Sequence, residues 1–328
     1  MTQMFFPECD VVVAGEYFCD LIFSGLDETP RLGADMFAKS FSVMPGGTYN
    51  MALALARLGV DAHWAVTFGT DLFSRLVRES AERDGISDRL FHQADHGVER
   101  VSAAFSLQGD RGFVSYSEVP VAAPGSETFD LARPRWLLQT FRFDPDWLDF
   151  VASAKAHGTQ VFVDARHGDF TLETPGVADL LAMADVFSPN EDEALALTGA
   201  ETVPAAIERL AGLVPVVIVK RGALGASVSA HGFRFDVAAP VVGVVDTVGA
   251  GDAFNAGFLF GMANGCPINE CVRLAVLCGT RSVTAPGSSG VPTIAELIAF
   301  DAAQGGDDPA GQAALAALGR RRGAAFIS

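Results

Sequence analysis

The sequence predicts an α/β fold, a mostly parallel central sheet with helices on both faces, with a small β-sheet lid beside it. Short β-branched runs of strand length alternate with amphipathic helical stretches from end to end. Two segments, about 18–44 and 100–118, break that alternation with short strands and turns and no crossover helix. A glycine-rich turn, Gly249-Ala250-Gly251-Asp252, opens a helical pattern after the apolar run 241–245. That run reads as a strand, which puts Asp252 just past a strand end, where open α/β sheets bind ligands.

The elements follow in order. Strands are expected over Asp10 to Ala14, Ala62 to Phe68, Trp136 to Gln139, Gln160 to Asp164, Asp185 to Phe187, Val216 to Lys220 and Ala226 to Ala230. Most are short apolar runs, several rich in β-branched residues. Helices are expected over Thr48 to Leu58, Leu72 to Asp84, Pro145 to His157, Asn190 to Thr198, Pro204 to Leu213, Ala250 to Asn264 and Asn269 to Val283. In the first of these, Met51, Leu55 and Leu58 keep a helical period after Gly46-Gly47. In the second irregular segment, Gly109-Asp110 marks a hairpin turn. Four such strands would form a sheet over the ligand edge, either to exclude water or to make dimer contacts. Residues 1–303 read as one domain carrying both segments. From Gln304 the composition turns to Ala, Gly and Asp, and 304–328 reads as a flexible tail.

Composition narrows the function. With 328 residues and 49% hydrophobic content, the chain can bury a substantial core. Its apolar runs are too short to span a bilayer. The first eight residues carry neither a basic n-region nor an apolar h-region, so a cytoplasmic protein is expected. Five cysteines without a Cys-x-x-Cys pair argue against a disulfide framework or a zinc site. A net charge of −17 counts against nucleic acid as partner but not against nucleotides. The three lysines, Lys39, Lys155 and Lys220, stand in no P-loop.

The turn at 246–252 carries the chemistry. Backbone N–H groups at a helix N-terminus make an anion site, and Asp252 sits among them. A carboxylate there suits a general base that takes the proton of a hydroxyl attacking a phosphoryl group. The competing reading is an ordinary first-turn Asp. Upstream, Gly46-Gly47 permits close backbone approach, while Asn50 and Asp20 can hold hydroxyls.

The segments Gly46-Gly47-x-x-Asn50-x-Ala52, then Gly59, and Asp246-Thr247-x-Gly249-Ala250-Gly251-Asp252 resemble the two signatures of the ribokinase-like (pfkB-type) carbohydrate kinases. They stand in that family's order and spacing. Asn190-Glu191-Asp192-Glu193 and Lys220-Arg221-Gly222-Ala223-Leu224-Gly225 resemble two further family segments. The resemblance implies a ribokinase-like fold and ATP-dependent phosphorylation of a small sugar or sugar acid. It implies Asp252 as base and Gly249, Ala250 and Gly251 as anion hole. Asp20, Gly46, Gly47 and Asn50 would hold the sugar. Asn190, Glu193, Lys220, Gly222 and Gly225 would serve ATP, with Mg²⁺ organised through water near Asn190 and Glu193. The family's adenine pocket maps loosely onto 277–286. K⁺ near Asp246 and a homodimer through the lid are further implications.

Two departures stand out. Thr48-Tyr49 replaces the usual residues of the first signature and puts an aromatic at the substrate end. Asp164-Ala165-Arg166-His167-Gly168 is unusual too, with Arg166 either meeting a substrate carboxylate or phosphate or making a surface ion pair. A nucleoside kinase of the same family is the alternative, favoured if Tyr49, Phe18 or Phe105 stacks on a base. An NAD-linked oxidoreductase would need a third glycine where Phe254 stands.

Overall fold

The computed structural model describes residues 8–107, 110–117, 121–304 and 315. The chain begins with β1 (Cys9–Ala14), β2 (Tyr17–Ser24), β3 (Ser40–Gly47), α1 (Thr48–Arg57), β4 (Ala62–Phe68) and α2 (Leu72–Arg83). It continues through β5 (Phe91–Gln93), β6 (Arg100–Leu107), β7 (Asp110–Ser117), α3 (Glu127–Ala132), β8 (Pro134–Thr140), α4 (Pro145–Ala156) and β9 (Gln160–Asp164). Next come α5 (Val177–Met183), β10 (Val186–Ser188), α6 (Glu191–Thr198), α7 (Val203–Ala211) and β11 (Val216–Lys220). The last elements are β12 (Ala226–Ala230), β13 (Phe233–Val237), α8 (Ala250–Ala263), α9 (Ile268–Ser282) and α10 (Ile294–Ala303).

Nine strands form the main sheet in the order β13-β12-β11-β10-β9-β8-β1-β4-β5. All neighbours are parallel from β11 to β5, and β12 and β13 add an antiparallel edge. Alternation along β1 shows why both faces are covered. Val11 and Val13 join the core under α8 and α9, with Phe258 and Leu274. Val12 and Ala14 join the opposite core with Trp147, Leu180 and Leu210. Strands buried on both faces read as continuous apolar runs, which is how β1 and β11 read.

The two irregular segments supply the second sheet, in the order β3-β2-β6-β7. Register separates its faces: Asp20 pairs with Met44 and with Ser102, whereas Phe23 pairs with Phe41 and with Phe105. β6 and β7 pair antiparallel from Arg100↔Ser117 to Leu107↔Asp110, as a hairpin requires. Of the expected turn, Gly109 lies outside the described residues and Asp110 opens β7.

One expectation fails. The apolar run 241–245 is not a strand, so Asp252 does not follow a strand end. β13 already occupies that edge of the sheet. The chain instead crosses above it, with Val241, Val244 and Val245 exposed, and is pinned where Val245 N–H donates to the Val283 carbonyl at 2.8 Å. The expected C-terminal tail lies outside the described residues except for Gln304, at the end of α10, and Leu315, which is buried in the first core. No described helix is long and apolar enough to cross a membrane.

Candidate active site

Two cavities meet at the N-terminus of α8. The larger, about 520 Å³, lies beyond the carboxyl ends of β9 and β11 and is walled by the 239–244 crossing and α9. The smaller, about 160 Å³, lies between the inner face of the second sheet and the loops at 246–249 and 286–287. Gly249 lines both.

Gly249 caps α8 with φ +74°, a left-handed conformation that glycine adopts without steric cost. Ala250 and Gly251 follow in the first turn, where N–H groups lack helical acceptors. A β-carbon on Gly251 would come 3.4 Å from Lys220 Nζ, so this position faces the larger cavity. Asp252 stands in the same turn and lines that cavity. Burial pushes its carboxyl up to about 7, and the nearby Asp164 charge adds to the rise. Lys220 and the Asn50 side chain act the other way.

Asp164, at the end of β9, and Lys220, at the end of β11, form an ion pair at 2.8 Å with both side chains largely buried. Asn190 and Glu193 close a reciprocal cap on α6: Glu193 N–H donates to Asn190 Oδ1 and Asn190 N–H donates to Glu193 Oε2, both at 2.8 Å. Both side chains therefore line the cavity in fixed positions. Gly222 and Gly225 also line it. Gly225 has φ +88°, and a side chain there would run into the Val237 carbonyl.

On the other side, Asp20 projects from β2 into the smaller cavity. Burial raises its carboxyl to about 6. Gly46, on the paired strand, passes so close that any side chain would overlap the Asp20 carboxylate. Gly47 caps α1 with φ +65° and is packed on the Glu16 carbonyl. Asn50, in the first turn of α1, lines the cavity and faces Gly249 and Asp252. Asp246 ties the loops together, accepting from Val248 N–H at 3.0 Å and Gly287 N–H at 2.8 Å.

The folded chain thus brings eleven of the fourteen expected site residues to the lining of the two cavities, and Gly46 and Gly47 complete the wall behind Asp20 and Asn50. Arg166 is not among the lining residues. Its Nε donates to the Phe141 carbonyl at 2.9 Å, and its guanidinium lies over the Phe170 ring. Tyr49 is not at the substrate end either. It is buried at 1% exposure, donates to Asp84 and packs edge-on to Trp64, because on a helix it faces the core when Asn50 faces the cleft. Among the lining residues given no role from sequence, Asp164 and Thr247 carry polar side chains into the larger cavity. A carboxylate ending a β-strand was the available signal for Asp164.

Residues 10–294 match the model of the pfkB family carbohydrate kinases. The chain belongs to this family. It is 27% identical over 300 residues to a ribokinase of Arabidopsis thaliana, across 85% of this chain and 77% of that protein. In fold it resembles the structure of Arabidopsis thaliana ribokinase complexed with ribose and ATP, with a TM-score of 0.79 at 23% identity over 89% of this chain and 98% of the other. It also resembles a putative ribokinase II from E. coli in complex with ATP and Mg²⁺, with a TM-score of 0.76 at 22% identity over 90% and 99%. Family membership makes the chain a kinase. The structural likenesses show the ribokinase-like fold.

Proposed function

We propose that this kinase transfers the γ-phosphate of MgATP to a hydroxyl, most simply a primary one, of a small sugar or sugar acid. The observation that carries this reading is the placement of Asp252 and Gly249 where the two cavities meet. ATP occupies the larger cavity with its phosphates over the turn of Gly249, Ala250 and Gly251, whose N–H groups stabilise the charge of the transferred group. Asp20, Gly46, Gly47 and Asn50 hold the sugar. The Asp252 carboxylate accepts the proton of the attacking hydroxyl. Arg166 stays outside this assignment.

The donor set fits a water-bound Mg²⁺. Asp164, Asn190 and Glu193 line the cavity, while no group of three or more His, Cys, Asp or Glu residues among the described residues forms a direct cage. Mg²⁺ commonly keeps several waters and is completed by phosphate oxygens. Asp164, Asn190 and Glu193 would hold the ion's water shell, and the chemistry it would supply is neutralisation of the phosphate charge. The Asp246 loop is the place for a K⁺ effect. Exchange of Na⁺ for K⁺ at constant ionic strength should raise the rate, and equal rates would remove the ion from the account.

A sugar is favoured over a nucleoside. The smaller cavity, at about 160 Å³, lies well under the about 300–1,000 Å³ of sites for drug-sized ligands, and among the described residues no aromatic ring lines it. A phosphorylation screen with MgATP over pentoses, hexoses, ketodeoxy acids and nucleosides tests this. Turnover confined to nucleosides would reverse the substrate reading, and turnover of none would overturn it.

The outer face of the lid sheet supports a homodimer. Phe23, Phe41, Val43, Val114 and Tyr116 lie exposed on it, with the Phe23 and Phe41 rings 5.1 Å apart. A contiguous apolar face of this kind marks an interface, and a second copy is the commonest cover. Light scattering should give twice the chain mass, and Phe41→Glu should return the monomer. A monomeric wild-type protein would discard the dimer.

A further inference from the structure

A third cavity, about 560 Å³, lies between the ends of β1 and β4 and helices α3 and α4, and shares no lining residue with the other two. Arg100, the first residue of β6, lines it at 4% exposure. Its Nε has no hydrogen-bond partner, and among the described residues no carboxylate lies within ion-pair distance of its guanidinium. The Tyr17 ring lies 5.3 Å from its guanidinium carbon.

The carboxylates closest in charge are engaged elsewhere. Glu16 accepts from Arg142 at 2.6 Å. Asp71 accepts from the Ser74 hydroxyl at 2.6 Å and from the N–H groups of Ser74 and Val98 at 2.9 Å. The other ionisable side chains of the wall are Arg89, which pairs with Glu8 at 3.7 Å, His92, His96, which contacts Asp95 at 3.0 Å, and Glu127, which lies over Gly125. Next to cavity-lining Gly15, Ala14 pairs with Gln139, which is fully buried with neither amide atom hydrogen-bonded.

A buried guanidinium without a counter-ion is costly and rare. Its fork of N–H donors matches the two oxygens of a carboxylate or phosphate. We propose that this cavity binds a small molecule through a carboxylate or phosphate group held by Arg100. The site lies at the root of the lid: Arg100 stands two residues before Ser102, the register partner of Asp20. Anion binding there therefore bears on the strand that carries the sugar-side carboxylate, outside the kinase cleft.

The test uses the full chain and two probes, inorganic phosphate and succinate, by calorimetric titration at ionic strength held constant with NaCl. At least one probe should bind saturably. Binding should persist in Gly251→Val, which blocks the phosphate turn of α8, and weaken by at least about tenfold in Arg100→Gln. Arg100→Lys should recover part of it. The probe that binds identifies the group. Absence of saturable binding by both probes, unchanged binding in Arg100→Gln, or loss in Gly251→Val would each overturn the proposal. Should Arg100→Gln not fold, wild-type crystals soaked in tungstate decide: an anomalous peak beside the Arg100 guanidinium supports the site, and an empty cavity refutes it.

Discussion

Asp252 and Asp20 line two adjoining cavities and are mounted differently. Asp252 belongs to the first turn of a helix buried against the main sheet, with Lys220, Asp164 and Asn50 around it. Asp20 belongs to a strand of the second sheet, and burial alone lifts its carboxyl. A group that must meet a reacting proton gains from a rigid support whose charges set its proton affinity. A recognition group on a separate sheet can approach and retreat with the ligand. The difference predicts that turnover and sugar affinity separate by mutation.

The largest effect is expected at the rigid end. Asp252→Asn should lower kcat by about 10²–10⁴-fold while ATP and sugar still bind. The wild-type rate should itself fall as pH drops through about 7, because the base must be unprotonated and its carboxyl is raised to about 7. A full rate in Asp252→Asn, with the fold intact, would end the comparison. The same substitution should leave the folded protein more resistant to heat at pH 8. A carboxyl raised in the folded state stabilises only below its unfolded value near 3.8, and that contribution is lost as pH rises through about 7.

Next in size is Gly251→Val. Its side chain would project beside Lys220 Nζ into the phosphate turn. Losing an oxyanion donor costs about 10²–10³-fold in kcat. Its φ is not in the left-handed region, so the melting temperature should change little. Unimpaired turnover would move the anion hole away from this helix.

Asp20→Ala should act mainly on the other side. Losing a charged acceptor to neutral hydroxyls costs about 1.5–3 kcal/mol, or roughly tenfold or more in the sugar KM. The ATP KM should stay within about twofold. A raised ATP KM with an unaltered sugar KM would reverse the two ends of the cleft.

How much of this was legible in the sequence depends on how local the signal was. β4, β9, β11 and β12 match their expected bounds, and in β9 and β11 the reason is an uninterrupted apolar run, as a strand buried on both faces requires. β5, α3 and α5, at 3, 6 and 7 residues, are too short to show a period. The run 241–245 has strand composition, yet its fate was set by the hairpin that had already closed the sheet edge, a nonlocal fact. The glycine turns were legible because they need unusual backbone, as at Gly47 and Gly249. The Asp164–Lys220 pair was not, since its partners lie on separate strands and meet only once β9, β10 and β11 align.

The smallest effect on activity is expected at Tyr49, next to a cleft residue in sequence. On α1 successive residues point about 100° apart, so Tyr49 and Asn50 cannot face the same side. Asn50 lines the smaller cavity, whereas Tyr49 is packed against Trp64 with its hydroxyl on Asp84. Tyr49→Phe keeps the ring and removes the hydrogen bond, so the sugar KM and kcat should match wild type. Stability should fall by about 1–2 kcal/mol, since a bond to a charged acceptor is lost at a partly buried site. Chemical denaturation beside steady-state kinetics measures both at once. A sugar KM raised severalfold with unaltered stability would place the tyrosine in the cleft and mean that the recognition side extends along α1 beyond Asn50.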